Sequence, residues 1–282
     1  MMMTFQFFTL GGKQFWEDVF YYQKWRIQRH YRTKKYRLLD SFDIRRASGA
    51  FEECRQAFLK FIEMYEIPRQ KGPLVVLIHG LSQSKDTFKP LSLALEKEGL
   101  NVAAINYPST KKSMKAHASD LAFLLSHLED AGSIILIAKG TGAILLRYLL
   151  KERNLAENKF QIEKIIEINP TNLGSDICTI LSRYKIFNFI FGPALKECSV
   201  GNVRLLEKLP IGIPVGLIFC ETYRDKILKP IIKRYEGIHI PGDLQHQDFG
   251  TASTHIENKR LNIFKNKQLI EKCVCFLKKN AF

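Results

Sequence analysis

The sequence predicts an α/β protein with a mostly parallel central sheet and helices on both faces. From Gly72 onward, short apolar runs of strand character alternate with segments whose apolar residues recur at helical spacing, which is typical of a covered parallel sheet. The chain has 282 residues, of which 46% are hydrophobic, and this is enough to bury the core of one large domain. We therefore expect one such domain with an appendage.

The appendage is predicted to be a basic α+β unit at residues 1–70. Residues 25–30, 35–40 and 44–49 have the alternation of short half-buried strands. A helix should follow, because apolar residues recur every three or four positions from Phe51 to Tyr65 and the pattern stops before Pro68. Basic side chains alternate with apolar ones along the strands, so we expect a cationic outer face that is solvated or docked on the main domain.

The main domain is predicted to span residues 71–282. Strands are expected at residues 74–78, 102–106, 134–137, 162–169 and 215–219. Helices are expected at residues 88–98, 114–129, 143–151 and 267–278. The aromatic-rich segment at residues 180–191 falls within a small helical cap predicted around residues 172–210. Residues 241–253 are rich in turn formers and are expected to form a connection.

The net charge of +15 leaves two interpretations open. The lysines are spread over nearly every surface segment, which is typical of a basic solvated surface, but the charge could also attract an anionic membrane surface. Nucleic acid is not the expected partner, because no nucleic-acid-binding signature accompanies the charge.

Cysteine and hydropathy patterns restrict the remaining classes. The six cysteines include no CxxC pair and no metal-ligand spacing, so we expect reduced thiols, no metal site and no cofactor. No apolar run approaches the roughly 18 to 20 residues that cross a bilayer. The first eight residues lack the charged start of a secretory signal, so the expected compartment is the cytoplasm.

The most informative stretch is residues 134–147, where an apolar strand pattern ends at A-K-G-T-G and a helical pattern begins at once. Ala138 and Gly142 are small enough for strand and helix to approach each other closely. In serine hydrolases built on a parallel sheet, such a turn reads G-x-S-x-G and holds the nucleophile. Gly140 occupies the position of that serine.

Four further motifs accompany this corner in a fixed order: H-G-L at residues 79–81, Y-P-S-T-K at residues 107–111, H-A at residues 117–118, and Arg147 after the corner. With these motifs the sequence resembles the α/β-hydrolase superfamily, and more narrowly its bacterial lipase/esterase-like members. The resemblance is close over residues 73–150 and looser towards the C terminus. It implies an α/β-hydrolase fold with a small cap. It also assigns an oxyanion loop to His79, Gly80 and Leu81, and the elbow around the nucleophile to Ala138, Lys139 and Gly142.

The three catalytic positions that the resemblance implies all depart from the family pattern. Gly140 removes the hydroxyl that the acyl mechanism needs in its first step. The acid position holds Phe249, with Asp248 one residue early and Asp225 as an alternative acid.

The position of the catalytic histidine holds Arg260, and the nearby imidazole is that of His255. Three departures favour a pseudo-hydrolase whose retained pocket binds a small apolar or acyl ligand, or a protein partner. One alternative is an active esterase in which Thr141 is a displaced nucleophile. A second alternative is an anion-binding module at residues 139–142, where backbone N–H groups at a helix N-terminus and Lys139 would hold the anion.

Overall fold

The structure is a computed structural model that describes residues 14–69, 72–128, 132–151, 161–206, 212–221, 251–258 and 262–282. The N-terminal part forms a four-stranded antiparallel sheet in the order β1-β2-β3-β4, followed by helix α1. The elements are β1 (Trp16–Tyr22), β2 (Trp25–His30), β3 (Tyr36–Leu39), β4 (Arg45–Gly49) and α1 (Phe51–Met64). The three predicted strands and the predicted helix are therefore confirmed.

Strand β1 was not predicted, and the reason lies in its two acidic residues. Glu17 and Asp18 interrupt the apolar pattern of the strand, yet both side chains are buried. The Asp18 carboxylate accepts hydrogen bonds from Arg26 Nη1 at 3.1 Å, Gln28 Nε2 at 2.7 Å and the backbone N–H of Asn106 at 2.7 Å. A hydropathy pattern does not predict that a carboxylate is buried, because its hydrogen-bond partners come from distant parts of the chain.

The same acidic residues join the N-terminal sheet to the rest of the protein. Glu17 forms ion pairs with Arg29 and Lys112, and both cations also pair with Asp120. Part of the predicted cationic face is thus docked on the main domain and neutralised there. The division of the chain at residue 70 stays a prediction.

The main sheet has six parallel strands in the order β10-β9-β8-β7-β5-β6. These strands are β5 (Leu74–Ile78), β6 (Asn101–Ala104), β7 (Ser133–Lys139), β8 (Gln161–Ile168), β9 (Val215–Glu221) and β10 (Ala252–Glu257). The helices are α2 (Lys89–Lys97), α3 (Met114–Ser126), α4 (Gly142–Lys151), α5 (Asp176–Leu181), α6 (Lys185–Phe191), α7 (Pro193–Glu197), α8 (Val200–Val203) and α9 (Lys267–Lys279). All strands and helices predicted for this region are present, with small differences at their ends.

Strand β10 corrects the expectation of a connection through residue 253. Its sequence, A-S-T-H-I-E, has a single large apolar residue, Ile256, which packs into the core. Pairing with β9 along the whole strand supplies the order that local composition does not predict.

The sheet separates two apolar cores, because successive strand residues point to opposite faces. Val76 and Ile78 pack on the side of α3, α4 and the cap helices, whereas Val75 and Leu77 pack on the side of α2 and α9. Helix α9 buries residues at helical spacing and is capped by Asn266, whose side chain accepts from Gln268 N. Both faces of the sheet are therefore covered, as the apolar strands predicted. None of the helices in the described ranges is both long enough and apolar enough to cross a bilayer.

Candidate functional site

The corner between β7 and α4 lies at the carboxyl edge of the main sheet. Gly140 has φ +55°, in the left-handed region that disfavours L side chains. A Cβ placed on Gly140 would have the carbonyl oxygen of Asn169 as its nearest neighbour, at 4.0 Å, so a side chain there has room. At Gly142 a Cβ would lie 2.8 Å from the carbonyl oxygen of Ile78, which allows no larger residue without displacement.

A left-handed residue on a sharp turn from a central parallel strand into a helix is how α/β hydrolases expose their nucleophile at the carboxyl edge of the sheet. The chain has the α/β-hydrolase fold. Residues 138–142 form a turn of this shape, with glycine at the left-handed position where such enzymes carry serine.

Some solved structures of low sequence identity are similar to this chain. No protein-family model matches the sequence, and no curated protein matches it either. Among solved structures, a metagenomic carboxyl esterase is 16% identical with a TM-score of 0.48, over 60% of this chain and 57% of its own length. A pyrethroid hydrolase from Sphingobium faniae is 13% identical with a TM-score of 0.47, over 74% of this chain and 98% of its own. A variant of tomato methylketone synthase I is 12% identical with a TM-score of 0.48, over 76% of this chain and all of its own.

The loop after β5 corresponds to the predicted oxyanion loop, and its backbone N–H groups are engaged within the protein. Leu81 N donates to the side-chain hydroxyl of Thr141 at 2.6 Å. Gly80 N donates to Gln83 Oε1 at 3.3 Å, and Ser82 N donates to the hydroxyl of Ser109 at 2.9 Å. The amide of Leu81, which the sequence predicted as an oxyanion donor, is thus bonded to the residue that follows Gly140.

His79 is completely buried and shapes this loop. Its ring stacks on Tyr107 with 4.1 Å between ring centroids, and its Nδ1 lies 2.9 Å from the carbonyl oxygen of Gly80. Burial lowers the pKa of His79 to about 4, so the imidazole is neutral at neutral pH. Tyr107 donates its hydroxyl to the carbonyl oxygen of His79. These contacts describe a residue that positions the loop.

Sequence reasoning missed Gln14, which precedes β1 and reaches the same loops. Its Nε2 donates to the carbonyl oxygen of Gln83 at 2.6 Å, and its Oε1 accepts from the hydroxyl of Thr110 at 3.2 Å. Gln14 thereby bridges the oxyanion loop and the Y-P-S-T segment. A lone glutamine outside any motif gave no signal of this role.

The structure does not bring His255 to the corner. His255 lies within β10, with an exposed side chain, and its ring stacks on Phe219 of β9 at 5.0 Å. In the sheet, Lys139 of β7 lies beside Ile168 of β8. Two more strands, β9 and then β10, follow on that side, so three strand spacings separate the corner from His255. At about 4.8 Å per strand this is roughly 14 Å, beyond the reach of one imidazole.

The other predicted triad positions lie outside the described residues: Asp225, Asp248, Phe249 and Arg260. Within the described ranges, no cluster of three or more His, Cys, Asp or Glu side chains has a geometry that could hold a metal ion.

The anion-binding alternative depends on free N–H groups at the corner. Gly140 N donates to the carbonyl oxygen of Ile168 at 3.0 Å, continuing the ladder between β7 and β8. Lys139 lies with its Nζ 5.6 Å from the ring centroid of Phe264, on the side of the sheet that carries α9. Both observations weigh against an anion cradle built from these two residues.

Arg147 on α4 ties both ends of the cap to the main domain. Its Nη1 donates to the carbonyl oxygen of Asn172 at 2.6 Å, and its Nη2 donates to the carbonyl oxygen of Leu206. Glu167 of β8 lies beneath this tie, completely buried, and accepts a hydrogen bond from the side-chain amide of Asn172. The motif arginine therefore has a structural role at the base of the cap.

Burial raises the pKa of Glu167 to about 7, although the hydrogen bond from Asn172 and the charge of Arg147 favour the anion. Glu167 Oε1 has no hydrogen-bond partner among the described residues, so no donor there stabilises a negative charge on that oxygen. The folded state then keeps a proton that the unfolded chain releases above its ordinary pKa of 4.5.

We therefore expect stability to fall as pH rises from about 4.5 through about 7, by on the order of 2–3 kcal/mol from this group. Glu167→Gln should remove this contribution, because an amide stays neutral at both pH values and its oxygen can still accept from Asn172. Urea unfolding of both proteins at about pH 5 and about pH 8 measures it. Parallel pH dependences in the two proteins would contradict the assignment.

Proposed function

We propose that the protein is an α/β-hydrolase-fold protein without serine-hydrolase chemistry, whose function is to bind a small apolar or acyl ligand or a protein partner. The proposal is supported by one combined observation at the corner. Residue 140 is a left-handed glycine without a hydroxyl, and Leu81 N donates to Thr141 Oγ1 beside it. Acyl transfer needs both a nucleophile and oxyanion donors. The corner has glycine at the nucleophile position, and the N–H of Leu81 is already engaged.

The two losses reinforce each other chemically. Without the serine hydroxyl no tetrahedral intermediate forms, so no oxyanion develops for the loop to stabilise. Because no oxyanion has to be stabilised, the N–H of Leu81 can donate to the Thr141 hydroxyl oxygen instead of to a substrate. The result is a loop held in a fixed position beside a left-handed glycine.

Thr141 as a displaced nucleophile is the alternative, and two observations weigh against it. Its side chain is buried, with 8% of the residue exposed, and its oxygen already accepts from Leu81 N. A threonine nucleophile also needs a base within about 2.6 to 3.2 Å. The register of the sheet puts His255 far outside that distance.

Support for ligand binding comes from the apolar cover on the carboxyl side of the sheet. Leu81, Leu173 and Phe191 are partly buried and pack against the core that the cap shares with α3 and α4. The cap fits closely on the Y-P-S-T segment, since a Cβ on Gly192 would lie 2.1 Å from the carbonyl oxygen of Thr110. An acyl chain is the ligand chemistry that such partly exposed apolar side chains favour.

The first test concerns covalent chemistry. We expect a fluorophosphonate probe to leave the protein unlabelled and short-chain p-nitrophenyl esters to be hydrolysed no faster than by heat-denatured protein. Thr141→Ala should change neither result, and Gly140→Ser alone should restore little activity because triad members act as a unit. Labelling or turnover in the unaltered protein that Thr141→Ala abolishes would establish the displaced nucleophile and reject the proposal.

The binding half of the proposal is tested separately, by native mass spectrometry and thermal shift with medium-chain fatty acids. Leu81→Glu should weaken acyl binding. Leu93→Glu is the matched control, because Leu93 on α2 is exposed and lies on the other side of the sheet from the cap. Equal affinities in both variants would place the ligand elsewhere.

A further inference from the structure

Helix α6 of the cap carries apolar side chains on its outward face. Ile186, Phe189 and Ile190 are 60%, 85% and 42% exposed and recur at the i, i+3, i+4 spacing of one helical face. The opposite face uses Phe187 and Phe191, which pack against the core of the main domain. The helix is therefore apolar on both sides.

Folding does not account for the outward face. A surface helix normally places charged or polar residues there, and the core contacts of Phe187 and Phe191 already anchor α6. Burying a side chain such as Phe or Ile against a partner stabilises a complex. Three such side chains on one exposed turn are thus available for a partner.

The charges around α6 are basic and favour an anionic partner. Arg183 and Lys185 stand at the start of the helix, are exposed, and form no ion pair with any residue in the described ranges. Lys196 is exposed on α7, and Arg204 is exposed directly after α8. Arg204 precedes Leu205, which is 82% exposed.

The acidic residues of the cap do not balance these cations. Residues 172–206 contain four basic and two acidic side chains. One of the acidic residues, Glu197, turns inward to accept the backbone N–H of Met114. A surface that is both apolar and cationic matches an anionic lipid interface, where apolar side chains enter the acyl boundary and cations meet the headgroups.

We propose that the outward face of α6, with Arg183 and Lys185, docks the cap on an anionic lipid surface. This surface is independent of the corner at Gly140, so it stands whether or not the protein is a pseudo-hydrolase. The apolar side chains contribute the larger part of the binding, and each cation near the anionic surface adds to it.

Vesicle sedimentation with the full chain tests the proposal, using phosphatidylcholine vesicles with and without phosphatidylserine at low and high salt. We expect binding that needs phosphatidylserine and weakens with salt. Phe189→Ser combined with Ile190→Ser should reduce partitioning about tenfold or more. Lys185→Glu should reduce it on the anionic vesicles.

Two control variants locate the surface. Leu93→Ser removes an exposed leucine from α2, and Arg45→Glu reverses an exposed charge on β4; neither should change partitioning. Circular dichroism establishes that each variant is folded. The proposal is overturned by absent binding, by equal binding to both vesicle types, or by a loss in Arg45→Glu that exceeds the loss in the α6 variants. Concentration-dependent dimerisation abolished by the α6 variants, without lipid binding, would instead assign the face to a second copy of the chain.

Discussion

Asp18→Ala is expected to lower the free energy of unfolding by about 3–5 kcal/mol, the usual cost of removing one partner from a buried ion pair. The Asp18 side chain is completely buried and accepts from Arg26, Gln28 and the backbone of Asn106. Without the carboxylate, the largely buried guanidinium of Arg26 keeps, among the described residues, only the half-exposed carboxylate of Asp43 as a counter-charge. The variant also loses one of the hydrogen bonds that join β1 to Asn106 after β6.

Urea unfolding followed by circular dichroism measures the change, and Asp43→Ala is the matched control. Asp43 also faces Arg26, at 3.5 Å from its Nε, but its side chain is 45% exposed. Removing it should cost about 0–1 kcal/mol, as for other exposed pairs. Asp18→Asn should fall between the two, because the amide keeps an oxygen for Asn106 and loses the charge. If Asp18→Ala cost no more than Asp43→Ala, the N-terminal sheet would not depend on this buried carboxylate.

The second large effect is expected in a chain whose triad has been rebuilt by Gly140→Ser, Phe249→Asp and Arg260→His. In that background Thr141→Ala should raise kcat for a p-nitrophenyl ester by about 10²–10³-fold. The bond from Leu81 N to Thr141 Oγ1 consumes one oxyanion donor, and losing one such donor costs about that factor in hydrolases. The left-handed turn has room for the serine side chain, since a Cβ at Gly140 meets nothing closer than 4.0 Å.

The comparison is made between the rebuilt chain with Thr141 and the rebuilt chain with alanine there, so that the two differ in a single hydroxyl. Fluorophosphonate labelling of the new serine supplies a readout that does not depend on the chosen ester. The same Thr141→Ala change in the chain that keeps Gly140 is the negative control and should yield no activity. Equal kcat values in the two rebuilt chains would mean that Leu81 N is not an oxyanion donor in this protein.

How far the sequence determined the fold is clearest at the corner. The apolar run before residue 138, the small residues at 138, 140 and 142, and the helical spacing after them are local patterns. They predicted a strand, a tight turn and a helix, and each of these is present. That residue 140 is glycine and not serine is likewise known from the sequence alone.

Local patterns failed where a long-range partner changes the meaning of a residue. In the sequence, Glu17 and Asp18 are typical of surface residues. In the fold they are buried against Arg26, Arg29 and Lys112. Strand β10 has one large apolar residue and depends on β9 for its order.

By itself the sequence determined the strands and helices of the parallel sheet, the order of the motifs and the glycine at position 140, because strand and helix periods depend on neighbouring residues. Only the tertiary structure decided that Thr141 occupies the N–H of Leu81, that His255 lies three strands from the corner, and that α6 turns apolar side chains outward. Leu81 and Thr141 are 60 residues apart. Which donor meets which acceptor over that separation depends on how the two ends of the strands are packed together, and no local pattern carries that information.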